Sequence, residues 1–521
     1  MKIFSKYLLA VLAACLIFPI SCSDDVLDQV NTNTVSTGTF WQTPEDVELA
    51  VNGMFHPITN TFFWGRIIHT GAILRSDVFN VRPFGPNTAM STFQGEPGAA
   101  RWSTEIWQEP YKAIFRANSI LENVTPEAVP DAATRNGYLG QAYFVRALSY
   151  WYLGALYGNV PIVTKTPESD EEFFPNQATP AQVWDQVIAD LTEAEGLLPS
   201  SWSSEADLGR PTSGSAIALR GKTHLYKQDW AAAASDFVKV VSSGQYSLLP
   251  AEQYMDNFTE SNENNLESVF ELQYLGLASF AWGVDVPGVG TLGTFHIDYA
   301  PPAKSPDQSH YVNAWVKDLF EANGETVRRN ATLAYDYEGS TGYGGVPFAE
   351  DFSAEIELAA SEGMEPIFSR KYAGMDIGKR ADVDFLGTNV GNNWRIIRYA
   401  DVLLMHAEAL NEQGQTAEAA EFVNMVRMRA QVDPISTSLS QTEMRQAIID
   451  ERVLELTGES HRFFDLVRWG LADDYMGDKS LHGDHPKSLS GGVFQTGKHE
   501  YIWIPTSEVS ANPNITQNPG Y

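Results

Sequence analysis

Apolar residues recur at helical spacing through most of this chain, which restricts it to a largely α-helical fold. Thr43-Pro44-Glu45-Asp46 reads as a helix start: a capping threonine, a proline at the first helical position and acids in the first turn. Val47, Ala50, Val51 and Met54 follow three and four residues apart. The same pattern predicts helices over Glu105 to Val124, over Gly137 to Tyr157 with its wide aromatic face, and from Thr179-Pro180 through Leu191. Leu439 to Trp469 returns to it.

Two segments read as helical hairpins. Ala216 to Tyr226 and Ala231 to Val241 flank the turn Gln228-Asp229, with Gly221, Ala233 and Phe237 at the spacing of a tetratricopeptide unit. Asp401 to Asn411 and Thr416 to Arg429 flank Gly414, and Ala407, Ala409, Ala419 and Ala420 permit close approach. An ordinary antiparallel helix pair accounts equally for this spacing. Between the hairpins, Leu249 to Trp394 is rich in glycine, proline, asparagine and aromatics and has few helical periods. It is expected to be loops inserted in the helical scaffold, the kind of segment that carries function. Within it, Val269 to Tyr274 reads as a strand or an apolar connector.

The N-terminus speaks to compartment. Lys2 and Lys6 lead into an apolar run of 14 residues, Tyr7 to Ile20, of signal-peptide rather than membrane-spanning length. The run ends at Ser21-Cys22, which resembles a bacterial lipobox with cleavage before Cys22 and acylation of that residue. An ordinary secretory signal with an incidental cysteine is the alternative. Acyl chains contribute about 0.8 kcal/mol per buried methylene, so several on Cys22 would anchor the chain without a spanning helix. Ser23-Asp24-Asp25 would then be an acidic tag at the start of a polar tether. The expected organisation is a signal peptide over 1–21, a lipidated flexible tether over 22–39 and one domain over 40–521. That domain divides into a helical scaffold, about 40–248 and 395–470, and a loop-rich insertion, about 249–394.

Charge and cysteine content remove several function classes. With 66 acidic against 35 basic residues the formal net charge is −31, which argues against nucleic acid as a partner. Cys15 and Cys22 are the only cysteines, so neither a disulfide framework nor a cysteine-based metal centre can be built.

Three motifs have a chemical and a structural reading. Arg452, Glu455, Arg462, Asp465 and Arg468 alternate in sign, with Arg452–Glu455, Arg462–Asp465 and Asp465–Arg468 each three residues apart, a spacing that suits helix-surface ion pairs. Glu451 and Glu455 on one face could also serve as a glycosidase carboxylate pair, but a structural ion-pair network is the favoured reading. Gly288, Gly290 and Gly293 match a dinucleotide fingerprint formally. Pro287 precedes them and no helix follows, so they read as a flexible loop. His482 and His485 among Asp473, Asp474, Asp478 and Asp484 fit no zinc spacing; calcium on loop oxygens stays open.

The aromatic loops are better candidates. A sugar presents flat C–H faces that stack on tryptophan or tyrosine, ringed by hydroxyls that bond to Asp, Asn, Arg or Gln. Two non-helical segments offer both: Ser76 to Phe84, extending to Trp102, and Tyr274 to Tyr299. The candidate contacts are Trp282, Trp64, Asp77, Asn80, Arg82, Phe84, Trp102 and Tyr299. The alternative is that such aromatics plug the core beneath loops, the reading preferred for Trp107 and Trp151 within helices.

Several ordered motifs carry a resemblance. They are Phe40-Trp41-Gln42-Thr43-Pro44-Glu45-Asp46, Phe144-Val145-Arg146-Ala147, Tyr157-Gly158-Asn159-Val160-Pro161 and Gly209-Arg210-Pro211-Thr212. Arg398-Tyr399-Ala400-Asp401 through Glu408-Ala409, His461-Arg462-Phe463-Phe464-Asp465 and the closing Gln517-Asn518-Pro519-Gly520-Tyr521 follow. In this order, and with the lipobox, the whole mature chain resembles the SusD/RagB family of outer-membrane nutrient-binding lipoproteins. The resemblance implies an all-α fold in which several tetratricopeptide-like helix pairs pack against an irregular, loop-rich ligand-binding part. It implies a surface lipoprotein, facing the cell exterior, that captures oligosaccharide or polysaccharide and delivers it to a SusC-like TonB-dependent transporter. Neither catalysis nor a cofactor or metal is implied. The acidic charge points to a neutral glucan such as a β-glucan rather than an anionic polymer. A glycoside hydrolase and a protein-only tetratricopeptide scaffold are the other readings.

Overall fold

The computed structural model describes residues 40–69, 75–81, 93–97, 103–169, 171–275, 299, 310–375, 391–478, 480–482 and 492–521. Cys22 and the glycine motif at 288–293 lie outside the described residues.

Six long helices form the first half: α1 (Pro44–Thr59), α2 (Ser103–Asn123), α3 (Ala132–Tyr157), α4 (Pro180–Leu197), α5 (Ser213–Tyr226) and α6 (Trp230–Ser242). Their starts follow from local chemistry. Thr43, Thr179 and Thr212 each close a capping box, satisfying backbone N–H groups that the first turn leaves without helical partners. Each helix packs on the next in sequence. In the α5–α6 hairpin a β-carbon at Gly221 would lie 2.7 Å from the Phe237 ring, so glycine is what allows that ring to seat. Trp107 and Trp151 are buried, as helix-interior aromatics were expected to be.

The second hairpin, α10 (Tyr399–Glu412) and α11 (Thr416–Arg429), packs against α6 and against α12 (Gln441–Leu456). Ala407, Ala409, Ala419 and Ala420 are fully buried at these contacts. Two short helices follow, α13 (Arg462–Arg468) and α14 (Ala472–Met476).

The intervening region is more ordered than loops alone. It contains β2 (Ser268–Leu272), β3 (His310–Val312), α7 (Ala314–Ala322), α8 (Val327–Thr332), β4 (Leu333–Ala334), α9 (Ser353–Ser361), β5 (Phe368–Ser369) and β6 (Trp394–Arg398). The helices escape a periodicity reading because they are short: α7 buries only Val316 and Phe320 along nine residues. Val269 to Leu272 of that segment lie in a strand, β2, paired antiparallel with β6. β3 pairs antiparallel with β1 (Phe79–Val81) from the first half, with Asn80 opposite Tyr311.

Ion pairs lock β2 and β6 to α8, α11 and α12. Arg398 reaches Glu267 at 2.5 Å, Glu455 at 3.0 Å and Glu459 at 2.6 Å. Arg429 bridges Glu455 (2.5 Å) and Glu267 (2.9 Å), Arg328 meets Glu451 (2.6 Å) and Glu455 (3.2 Å), and Lys371 meets Glu459 (2.7 Å). A second group joins Arg452 to Asp401 (2.8 Å) and Asp465 (2.7 Å), and Arg468 to Glu408 (2.5 Å) and Asp465 (2.8 Å). The structural ion-pair network read from the charge alternation is present, but it is buried rather than on a helix surface, and of the second group's pairs only Arg468–Asp465 is local to one helix. Isolated, each would suffer heavy desolvation, so their value lies in mutual compensation.

Candidate functional site

The β1–β3 pairing carries Asp77 to the start of α7. Asn313 donates its backbone N–H to the Val78 carbonyl (2.9 Å) and its side-chain amide to the Asp77 carbonyl (2.7 Å). The Trp315 indole N–H donates to the same Asp77 carbonyl at 3.0 Å. One backbone oxygen thereby sets both the strand end and the indole.

The Asp77 carboxylate faces α13. Arg462 donates to both of its oxygens, each at 2.8 Å, a bidentate pair. His482 Nε2 lies 3.2 Å from Asp77 Oδ2. Burial raises the Asp77 pKa, but Arg462 and His482 outweigh it and hold the carboxyl below its ordinary value. The His482 ring stacks on Trp315 at 3.8 Å with planes 8° apart. Arg462 also packs over the rings of Tyr475 (4.8 Å) and Trp315 (5.9 Å). Asp77 and Arg462 are buried, whereas Trp315 and His482 are half-buried. The result is a charge pair below and an aromatic plate at the surface. Such a shelf can stack an apolar ligand face and offer hydrogen bonds at its edge.

The sequence candidates divide. Asp77 is in this shelf. Asn80 is fully buried on β1. Trp64 and Tyr299 were candidate stacking rings, and the structure corrects this: they are 1% and 2% exposed. Trp64 is enclosed by Tyr152 (5.0 Å), His69 (5.3 Å) and Trp394 (5.7 Å). Tyr299 packs beside Trp394 and Tyr372 and donates its hydroxyl to the Gly458 carbonyl at 3.1 Å. Both rings fill the core, leaving no face for a ligand. Trp282, Arg82, Phe84 and Trp102 lie outside the described residues.

Sequence reasoning missed Trp315 and Tyr475 and considered His482 only as a metal ligand. His482 instead stacks on Trp315 beside Asp77, while His485 and Asp484 lie outside the described residues. Among the described residues no group of three His, Cys, Asp or Glu side chains gathers as a metal site. Glu451 and Glu455 belong to the ion-pair network, the reading favoured for them over a glycosidase pair. Glu451 and Glu455 are at most 1% exposed, and both are held by Arg328. Burial opposes ionisation of Glu455, yet Arg429, Arg398 and Arg328 keep its pKa well below the usual carboxylate range, unlike a general acid. Among the described residues no helix is long and apolar enough to cross a membrane.

Fold and shelf together describe an α-helical scaffold that presents an aromatic plate braced by a buried ion pair. Comparison with known proteins gives its relationship. Residues 222–521 match the profile of the SusD family, and residues 87–225 match one described as starch-binding associating with outer membrane. The chain belongs to the SusD family. It is 26% identical to a SusD-like protein of Formosa agariphila, over 97% of this chain and 98% of that one. A SusD superfamily protein from Bacteroides vulgatus superposes with a TM-score of 0.78 at 25% identity, covering 93% of this chain and 100% of the other. A solved structure described as a laminarin binding SusD-like protein gives 0.70 at 27% identity, covering 92% and 99%.

Proposed function

We propose that this protein is a cell-surface lipoprotein that captures oligosaccharide or polysaccharide, a neutral glucan such as a β-glucan, and delivers it to a SusC-like TonB-dependent transporter in the outer membrane. The observation that carries the reading is the half-buried Trp315–His482 plate over the Asp77–Arg462 pair. A stacked sugar ring would lie on the plate, and its hydroxyls would meet polar groups at the rim. The similarity to a laminarin-binding relative supports a glucan ligand. The net charge of −31 repels polyanions and supports a neutral one. Anchoring through Cys22 and display on the outer face belong to this reading, as do the sequence candidates Trp282, Arg82, Phe84 and Trp102.

Native electrophoresis of residues 23–521 through gels containing laminarin, other neutral glucans or anionic polysaccharides tests it. Retardation by a neutral glucan, lost in Trp315→Ala, is the expected result. Trp282→Ala run alongside reports whether that loop shares the site. Retardation only by polyanions would overturn the neutral-glucan assignment. Sugar release from the polymer would revive the hydrolase reading.

A further inference from the structure

A second basin lies beyond the far end of α7. It has a volume of about 480 Å³ and is lined from three directions, by the 251–255 turn, by α8 with the 337–341 loop, and by Gln431, two residues past the end of α11. That volume is within the range of small-ligand sites, about 300–1,000 Å³. Glu252, Thr326 and Gln431 line it, and within the described residues their side chains make no hydrogen bond. Asn330 accepts at Oδ1 from the Arg329 guanidinium (3.1 and 3.0 Å), which leaves its amide nitrogen free to donate. Arg370 is anchored by one nitrogen to the Thr341 carbonyl at 2.9 Å.

Tyr337 is the half-buried ring of this basin. It is braced by residues that do not line it: Arg329 sits 4.7 Å over the ring and Tyr335 lies 5.1 Å away. Tyr335 is itself tied to Glu321 on α7 at 3.0 Å. A fixed ring bordered by free amide, hydroxyl and carboxylate groups is the equipment a sugar needs. One acid, Glu252, and one base, Arg370, leave the basin without a dominant charge, which suits a neutral ring better than a uronate or a phosphate.

We propose that this basin is a second glycan subsite, which engages the same neutral glucan chain at a point removed from the Trp315 shelf. The proposal rests on the reading of the protein as a glucan binder. Trp315 stands at the start of α7 and the basin begins just past its end, so the helix, about 13 Å long at 1.5 Å per residue, separates them. Two weak contacts on one polymer raise avidity because the second binds at high effective concentration. Long chains therefore gain from the basin and short ones do not.

Hydrogen exchange of the full chain with laminarihexaose and with laminarin tests this. Segments 251–258 and 326–341 are expected to gain protection, alongside segments 310–317 and 475–482. Tyr337→Ala should abolish the first protection, keep the second, and weaken laminarin binding about tenfold or more with little change for laminarihexaose at the shelf. Tyr337→Phe, which keeps the ring, should bind as the parent does. Protection at the shelf alone would overturn the second subsite and leave the proposed function standing. Protection at the basin alone would uphold the subsite and displace the shelf as primary site. Protection at neither would overturn both.

Discussion

The Arg398 cluster and the Asp77 shelf are made of the same parts at different depths. In the first, Arg398, Arg429 and Lys371 pair with Glu267, Glu455 and Glu459 beside the rings of Tyr254 and Phe258. In the second, Arg462 pairs with Asp77 beside Trp315 and Tyr475. In the first cluster each charge is surrounded by protein and every ring is covered. In the shelf the charges are covered and the Trp315 and His482 rings are left half-open. Enclosure turns guanidinium–carboxylate chemistry into a clamp between distant segments. Partial exposure turns it into a brace that holds a flat surface ready, so that little ordering is needed when a ligand arrives.

The comparison breaks most readily at Glu455. Glu455→Gln leaves Arg398 and Arg429 short of a buried counter-charge and should cost about 3–5 kcal/mol, measured by denaturant unfolding. A loss below about 1 kcal/mol would show that the cluster is no clamp. At the shelf the effect should move to binding. Trp315→Ala should weaken glucan affinity at least tenfold, about 1.4 kcal/mol by titration calorimetry, with the unfolding midpoint nearly unchanged. Trp64→Phe sharpens the contrast from the core side. It should lower stability by about 1 kcal/mol and leave glucan affinity as it was, the reverse of Trp315→Ala.

A further expected effect is a graded response to pH. Burial pushes His69 and His310 down to about 3 and His461 down to about 4. The unfolded chain therefore binds more protons than the folded one between the ordinary histidine value near 6.5 and those lowered values. Stability should fall as pH drops through that window. It should fall further below about 4, where the unfolded chain takes up protons on Asp77, Glu459 and Asp465 before the fold does, because their pKa values are depressed in the fold. Thermal melts from pH 8 to pH 3 check this. A flat profile down to pH 5 would mean that the histidines are solvated.

Much of the scaffold was legible because its signals are local. Thr43-Pro44 and Thr179-Pro180 announce their own capping boxes within four residues. Ala407 and Ala419 declare a close helix contact by size alone. Asp77 was legible as a polar group in an aromatic loop. Trp315 was not, because its role depends on β1 pairing with β3 and on His482 arriving from far along the chain. Trp64 misled for the complementary reason. A tryptophan beside glycine and phenylalanine looks loop-borne until Tyr152 and Trp394 are seen to close over it. The short helices of the insertion were hidden by length, since a nine-residue helix gives too few turns for a period to emerge.

The Arg398 cluster also bears on the order of folding. Its contacts join residues 131 positions apart in Arg398–Glu267 and 127 apart in Arg328–Glu455, while α1 to α6 pack mainly on their sequence neighbours. Helical neighbours form early because closing short loops has a low entropic cost, and distant pairs wait. Until the stretch around Glu459 is present, the acid at 267 and the cations at 328 and 398 have no complete set of partners. The first half can condense on its own, whereas the insertion becomes a settled structure only when the last fifth of the chain closes over it.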